Sequence, residues 1–142
     1  MMKALPLLLL LASPAAAWDF SASRLCAVTH VSENLALEMT YDPSTALYTI
    51  GVQRPEAWTP APIFGLAFKG ARDLTIRTDR HAYSDAGRTV TVTDQDFGIV
   101  LDGLQFNETA TAFLGDQAEQ VSLDGAAPAI EAFRACIETP SV

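Results

Sequence analysis

The chain has 142 residues, of which 49% are hydrophobic and 18% are charged, and its formal net charge is −8. A negative chain repels nucleic-acid phosphates and anionic lipid surfaces, so partners of both kinds are disfavoured. The acidic residues are scattered along the sequence, which is typical of a solvated surface rather than a site for a cationic partner.

Residues 1–17 have the pattern of a secretory signal peptide. Lys3 supplies a positive charge, residues 4–12 form an apolar run, and residues 15–17 are the small alanines that a signal peptidase recognises. The apolar run is shorter than the roughly 20 residues of a bilayer-spanning helix. We therefore expect cleavage after position 17 and a single exported domain over residues 18–142, periplasmic or secreted and not integral to the membrane.

Cys26 and Cys136 are the two cysteines of the chain. In an oxidising compartment they have one intramolecular pairing available. The alternatives are a metal pair and a reactive thiol, but neither cysteine has a second Cys or His at metal-ligand spacing. The sequence therefore predicts a Cys26–Cys136 disulfide that closes nearly the whole exported domain.

The first half of the exported domain shows the alternation of half-buried strands. Residues 18–22 are expected to be only a short lead-in, and residues 24–30 have strand-like composition. Large apolar side chains occupy alternate positions in residues 34–41, and the pattern resumes in residues 46–54 after a turn at residues 42–45. The last two segments predict a β-hairpin.

The segment 54–62, RPEAWTPAP, is expected to be an exposed connection, because proline cannot serve the hydrogen-bonding ladder of a central strand. It contains Trp58, for which two interpretations stay open. The ring covers one end of the core, or it is an exposed binding residue, because aromatic side chains anchor many protein interfaces. Trp58 is the candidate binding residue of the sequence.

Three further strands are predicted in the middle of the chain, over residues 63–69, 73–80 and 88–93, the last preceded by a turn at residues 84–87. Short strands separated by closely spaced turns are typical of a β-sandwich or barrel. Residues 109–114 and 119–123 then predict a second hairpin.

Two helices complete the prediction. Asp96 is expected to cap a short helix in which Phe97 and the leucines at 101 and 104 share one face with Val100, although these residues also fit a buried strand. A C-terminal helix begins near Pro128. Its apolar stripe would lie on the sheet and bring Cys136 to Cys26; the stripe consists of Ala129, Ile130, Phe133, Cys136 and Ile137. The expected fold is mainly β, an antiparallel sandwich or barrel with a short C-terminal helix packed on it.

Patterns that carry chemistry are sparse. His81 lies near Asp79, Ser84 and Asp85, but close neighbours on one turn rarely form a Ser–His–carboxylate triad. Residues 94–96, even with Asp79, do not complete a calcium loop, and no glycine-rich phosphate loop is present. We expect no catalytic residue, no metal and no cofactor.

The exported domain resembles small exported proteins of alphaproteobacteria. The stretch FGIVLDGL is followed by a predicted hairpin, and the closing VSLDGAAPAIEAFRAC combines a strand that ends in Leu-x-Gly with an alanine-rich helix. With the signal peptide and the early Cys26, these features resemble the invasion-associated locus B family. The resemblance implies a role in envelope or host contact rather than a catalytic activity.

The sequence thus predicts a non-catalytic protein that acts by contact with another envelope or extracellular protein. The alternative prediction is a small β-barrel that binds a ligand or inhibits an enzyme.

Overall fold

The computed structural model describes residues 17–139, so all but the last residue of the predicted signal peptide lies outside the described part, as do residues 140–142. Residues 17–139 form two antiparallel sheets packed together and two helices. The prediction of a mainly β antiparallel sandwich with a C-terminal helix is confirmed, and the two sheets do not close into a barrel.

The larger sheet has six antiparallel strands. Residues 18–22 form a strand instead of the expected lead-in, and β7 was not predicted because its three exposed residues show no alternation. The predicted first hairpin is confirmed as β3–β4. In spatial order the strands are β1 (Trp18–Ala22), β2 (Cys26–Val31), β3 (Ala36–Asp42), β4 (Leu47–Gln53), β8 (Thr89–Asp94) and β7 (Ala82–Ser84).

The smaller sheet has four antiparallel strands. The predicted second hairpin is confirmed as its β9–β10 pair. In spatial order the strands are β10 (Gln117–Ser122), β9 (Asn107–Leu114), β5 (Phe64–Gly70) and β6 (Leu74–Thr78). The inner faces of both sheets alternate with outward polar positions, as expected of strands that bury one face.

Residues 98–105, which fitted either a helix or a strand, form helix α1 (Gly98–Gln105). The Asp96 carboxylate accepts a hydrogen bond from the Gly98 N–H at 2.8 Å, one position earlier than a side-chain cap would act, because Phe97 occupies the cap itself. Gly103 lies flat against the Phe68 ring, where an added Cβ would sit 2.4 Å from ring carbons. The missing side chain therefore lets α1 lie directly on β5.

The C-terminal helix α2 (Ala126–Glu138) packs against β1, β2 and α1. Ile130 and Phe133 are fully buried on its inner face. Cys136 forms the predicted disulfide with Cys26, with their Cα atoms 6.1 Å apart across 110 positions of sequence. Arg134 also links the two helices, since its guanidinium donates to Asp102 of α1 at 2.7 Å.

The core lies between the two sheets and under the helices. Burying a large apolar side chain contributes about 1.5–3 kcal/mol, so this layer supplies most of the favourable free energy of folding. Its largest fully buried members are Phe64, Phe68, Phe133, Met39, Ile50, Leu104, Leu114, Ile130, Val28, Val52 and Val90.

Candidate functional site: an apolar cleft between the sheets

The sandwich has two long sides that differ in how they are sealed. On the side we name the closed side, β1 of the larger sheet faces β10 of the smaller one. There the Trp18 indole N–H donates to the Ser122 carbonyl at 3.0 Å, and α2 covers β1 and β2. On the other side, the open side, β8 faces β6.

The short strand β7 leaves part of the open side uncovered. It pairs only with residues 89–91 of β8, so residues 92–94 have no strand neighbour on that side within the described chain. One end of the open side is covered by Tyr83 of β7 and by His81, whose rings pack edge to face with centroids 5.5 Å apart. The other end remains open as a cleft.

The cleft has a volume of about 160 Å³ and a mostly apolar lining. Its floor is formed by core side chains, and β6, β8 and the start of α1 form its walls. Because the floor belongs to the rigid core, the cleft is built into the fold rather than formed by a loop. The lining residues are Ile50, Phe64, Gly65, Leu66, Ile76, Arg77, Thr78, Val92, Asp94, Asp96, Phe97, Ile99 and Val100.

The rim of the cleft combines an exposed apolar side chain with two carboxylates. Ile99 is 56% exposed although it belongs to α1. Asp94 accepts a hydrogen bond from the Gln95 N–H at 2.6 Å, and Asp96 accepts one from the Gly98 N–H. Within residues 17–139 neither carboxylate has a cation within 4.0 Å. Arg77 also lines the cleft but lies beyond 4.0 Å from both carboxylates, so the rim offers an apolar contact beside two carboxylates that have no ion-pair partner in the described chain.

Asp96 also affects a phenol behind the cleft. Burial raises the pKa of Tyr48, and the nearby Tyr41 and the charge of Asp96 raise it further. The Tyr48 ring lies 5.4 Å from the Phe97 ring, which lines the cleft. The hydroxyl thus stays protonated at neutral pH and adds no charge to the site.

A second depression, the outer trough, lies on the solvent face of the six-stranded sheet and has a volume of about 360 Å³. Small and polar side chains line it, among them Thr40, Thr91 and Gly51, with Glu38 as its one charged residue. No aromatic side chain lines it among residues 17–139. The trough exposes as much apolar surface as the cleft, including Val31, so the two depressions differ mainly in the aromatic side chains of Phe64 and Phe97, which line the cleft.

The structure places Trp58 inside the protein. Its side chain is 2% exposed, its indole N–H donates to the Val52 carbonyl at 3.3 Å, and the Arg54 guanidinium stacks 4.0 Å above its ring. The interpretation as an exposed binding residue is therefore wrong, and the ring covers the end of the core. Gln117 holds the surrounding segment in place, because its side-chain amide exchanges two hydrogen bonds with the Thr59 backbone.

The polar turn around His81 does not bring its neighbours together as a triad. The His81 Nε2 atom lies 2.8 Å from the Ala61 carbonyl and 3.1 Å from the Tyr83 hydroxyl. None of the ring's hydrogen bonds within the described chain goes to Ser84 or Asp85. No group of three or more His, Cys, Asp or Glu side chains in residues 17–139 is arranged to hold a metal ion.

The sequence prediction missed the residues that form the cleft. Ile99 gave a usable signal, because it is a large apolar residue off the buried stripe of α1. Val92 alternates with Val90 in the strand predicted over residues 88–93, but within this pair Val90 is fully buried and Val92 is only partly buried. Val92 stays partly exposed because β7 ends before it can cover this end of β8.

Comparison with known proteins indicates no function, so the evidence for a function lies in the fold and the cleft. No family model matches the chain, and the curated proteins and the solved structures give no match either. Between positions 17 and 139, neither helix combines the length and hydrophobicity needed to cross a bilayer.

Proposed function

We propose that the protein is a non-catalytic binding protein, periplasmic or secreted, that acts through contact with another envelope or extracellular protein at the open side of the sandwich. The observation that carries the proposal is the cleft itself, with Ile99 exposed at its rim. Binding energy at protein interfaces concentrates where an apolar side chain fills a desolvated pocket. The cleft is such a pocket on the described surface.

The size of the cleft favours a protein side chain over a small-molecule ligand. A cavity of about 150 Å³ holds one benzene molecule, whereas pockets for drug-sized ligands are about 300–1,000 Å³. At about 160 Å³, the cleft fits one ring or one branched side chain. The alternative of a ligand-binding barrel is less well supported, because the two sheets form a sandwich.

Export is supported by the disulfide and by the sequence of residues 1–17. Disulfides persist in oxidising compartments and are rare in the cytosol, and the Cys26–Cys136 bond joins the two ends of the folded domain. The resemblance to the invasion-associated locus B family agrees with an envelope role.

Site-specific photo-crosslinking in the native cell tests the proposal. A photoreactive phenylalanine analogue is placed at Ile99, and at Val31 in a matched control. Val31 is also an exposed apolar residue, but it lies beside the outer trough. We expect position 99 to give a discrete adduct in the periplasmic or secreted fraction, and position 31 to give none.

Two outcomes would contradict the proposal. Adducts from position 31 with none from position 99 would place the contact on the other face of the molecule. Retention of the full-length chain in the cytosol, with both thiols free, would contradict export.

A further inference from the structure

We infer that the partner contributes an extended segment that adds as a strand to β6, inserts one large apolar side chain into the cleft, and places a basic residue beside Asp94 and Asp96. This inference rests on the proposed function and specifies the kind of segment that the cleft recognises. Three independent features of the open side carry it: backbone groups, shape and charge.

The backbone of β6 is available for strand addition. Within the described chain it pairs only with β5, so the N–H and C=O groups that point away from β5 have no strand partner. An end strand of this kind is a template for another chain, and peptides bind many sheets by extending such an edge. Its five residues, Leu74–Thr78, give an added strand enough length to pair.

The edge of β6 has one of the features by which proteins prevent unwanted pairing, the charged side chain of Arg77, and lacks the others. The others are proline, a bulge, inward-pointing charges and a very short strand. The inward side chains of β6 are Leu74, Ile76 and Thr78, which are uncharged, and its pairing with β5 is regular. The Arg77 side chain lies on the outer face of the smaller sheet, where its guanidinium is 5.8 Å from the centre of the Phe113 ring. The larger sheet, by contrast, ends on this side in the three-residue strand β7.

The shape of the cleft determines what an added strand must carry. A strand beside β6 extends the smaller sheet past the free end of β8, so its inward side chains face the cleft between the sheets. The volume of about 160 Å³ accepts one aromatic or branched side chain. Ile99 at the rim can cover that side chain and exclude water from it.

The charge of the rim adds a second requirement. Asp94 and Asp96 line the cleft without a cation within 4.0 Å in residues 17–139. Residues two apart on a strand lie on one face, about 7 Å from each other. A lysine or arginine two positions from the apolar anchor would therefore reach these carboxylates. The net charge of −8 also attracts basic segments over longer distances.

Peptide titration of the protein, labelled with ¹⁵N and purified from the compartment to which it is exported, tests the inference. The probe is the capped peptide Thr-Lys-Thr-Phe-Thr-Lys-Thr, whose Lys, Phe and Lys side chains share one face. We expect amide shifts confined to residues 74–78 and 92–99. Exchanging Lys for Glu, or Phe for Ser, should weaken binding about tenfold each, which corresponds to 1.4 kcal/mol.

Two peptides that are N-methylated at alternate positions distinguish strand addition from simple docking. Each methylation pattern blocks one hydrogen-bonding edge of an extended peptide, so the pattern that blocks the edge facing β6 should abolish binding. On the protein, Ile99→Ser and Asp94→Asn should weaken binding. The matched controls Val31→Ser and Glu38→Gln lie at the outer trough and should leave binding unchanged.

The inference is wrong if the Lys and Glu peptides bind equally, if both methylated peptides retain full affinity, or if no peptide shifts residues 74–78. Failure of this inference can be distinguished from failure of the proposed function. A position-99 crosslink without peptide binding would leave the proposed function standing and remove strand addition. Absence of both would remove the two together.

Discussion

The closed and open sides of the sandwich lie between the same two sheets, but within residues 17–139 a hydrogen bond joins the end strands of the two sheets only on the closed side. On the closed side Trp18 donates a hydrogen bond to β10, and the disulfide fixes α2 over β1 and β2. On the open side β7 stops after three residues, and part of the gap between β8 and β6 remains as a cleft.

The difference suggests how an open side can persist in a small domain. A cleft exposes apolar surface that the protein could otherwise bury, which costs about 25 cal/mol per Å². The disulfide holds α2 on the larger sheet, and α2 packs on α1, which contacts β9 of the smaller sheet. These contacts keep the sheets together, so the open side need not close to maintain the fold. The following predictions test this division, beginning with the largest expected effect.

Removing the disulfide should destabilise the closed side most. In the chain-entropy account, a crosslink over a loop of this length contributes about 4 to 5 kcal/mol. For a domain of this size, we expect Cys136→Ser to lower Tm by roughly 15 °C. Differential scanning calorimetry measures this shift.

Reduction of the wild-type protein is the matched control for Cys136→Ser. A reductant should lower the wild-type Tm to that of a Cys26→Ser/Cys136→Ser protein, and should leave the double variant unchanged. If Cys136→Ser melts at the wild-type temperature, the disulfide is not what stabilises the closed side.

Truncating Trp58 should have the next largest effect, and the effect should be on stability. Deleting a buried Trp side chain costs about 3–5 kcal/mol, and Trp58 covers the core end while bonding to Val52. We expect Trp58→Ala to lower the free energy of unfolding by about 3 kcal/mol, the low end of that range, because the surrounding connection can partly relax. Urea denaturation measures this change in the free energy of unfolding.

Trp58→Phe separates the ring from its hydrogen bond. It keeps a six-membered aromatic ring but loses the indole donor and the volume of the second ring, so we expect a cost between about 1 kcal/mol, that of a lost hydrogen bond, and the cost of Trp58→Ala. Both variants should retain the crosslink at Ile99. Full stability of Trp58→Ala together with loss of that crosslink would instead restore Trp58 as a contact residue.

Local sequence patterns account for much of the fold but not for the cleft. The alternation in residues 34–41 and the stripe around Phe133 each report one element and which of its faces is buried, so both were predictable. The contact between the distant elements that carry the two cysteines was also predictable, because an oxidising compartment leaves them one intramolecular pairing. These predictions needed no knowledge of how the sheets pack.

Features that depend on distant partners were beyond the local pattern. Trp58 is buried partly because Gln117 holds the adjacent Thr59 backbone from 58 positions away. Residues 18–22 form a strand because β2 pairs with them. The cleft exists because β7 is too short to cover β8. This difference in length cannot be predicted from the sequence of either strand alone.

The smallest predicted effect is a dependence of stability on pH from a histidine on the closed side. His30 is 2% exposed, its ring stacks on Trp18 with centroids 4.4 Å apart, and its Nδ1 atom has no hydrogen-bond partner in the described chain. Burial lowers the pKa of His30, against an opposing hydrogen bond to the Ala17 backbone. The folded protein therefore disfavours the imidazolium.

The sign of the effect follows from proton binding by the unfolded chain. An unfolded histidine takes up a proton below about pH 6.5, while folded His30 stays neutral to lower pH. The stability that neutral His30 contributes is complete above that pH and is lost as the pH falls towards the lowered pKa. Tm should therefore decrease between about pH 7 and 5. Hydrogen bonds lower the pKa values of Asp42, Asp73 and Asp85, but those carboxylates affect stability only near and below about pH 4.

His30→Phe isolates this contribution, because it keeps a ring beside Trp18 and removes the titrating nitrogens. We expect its Tm to change less than that of the wild type between about pH 7 and 5, and to fall in parallel with it below about pH 4. Hydrogen exchange should show the wild-type acid effect in β1 and β2, which contain the stacked pair, before it reaches β6 and β8. Parallel profiles over the whole range would mean that protonation of His30 does not weaken the closed side.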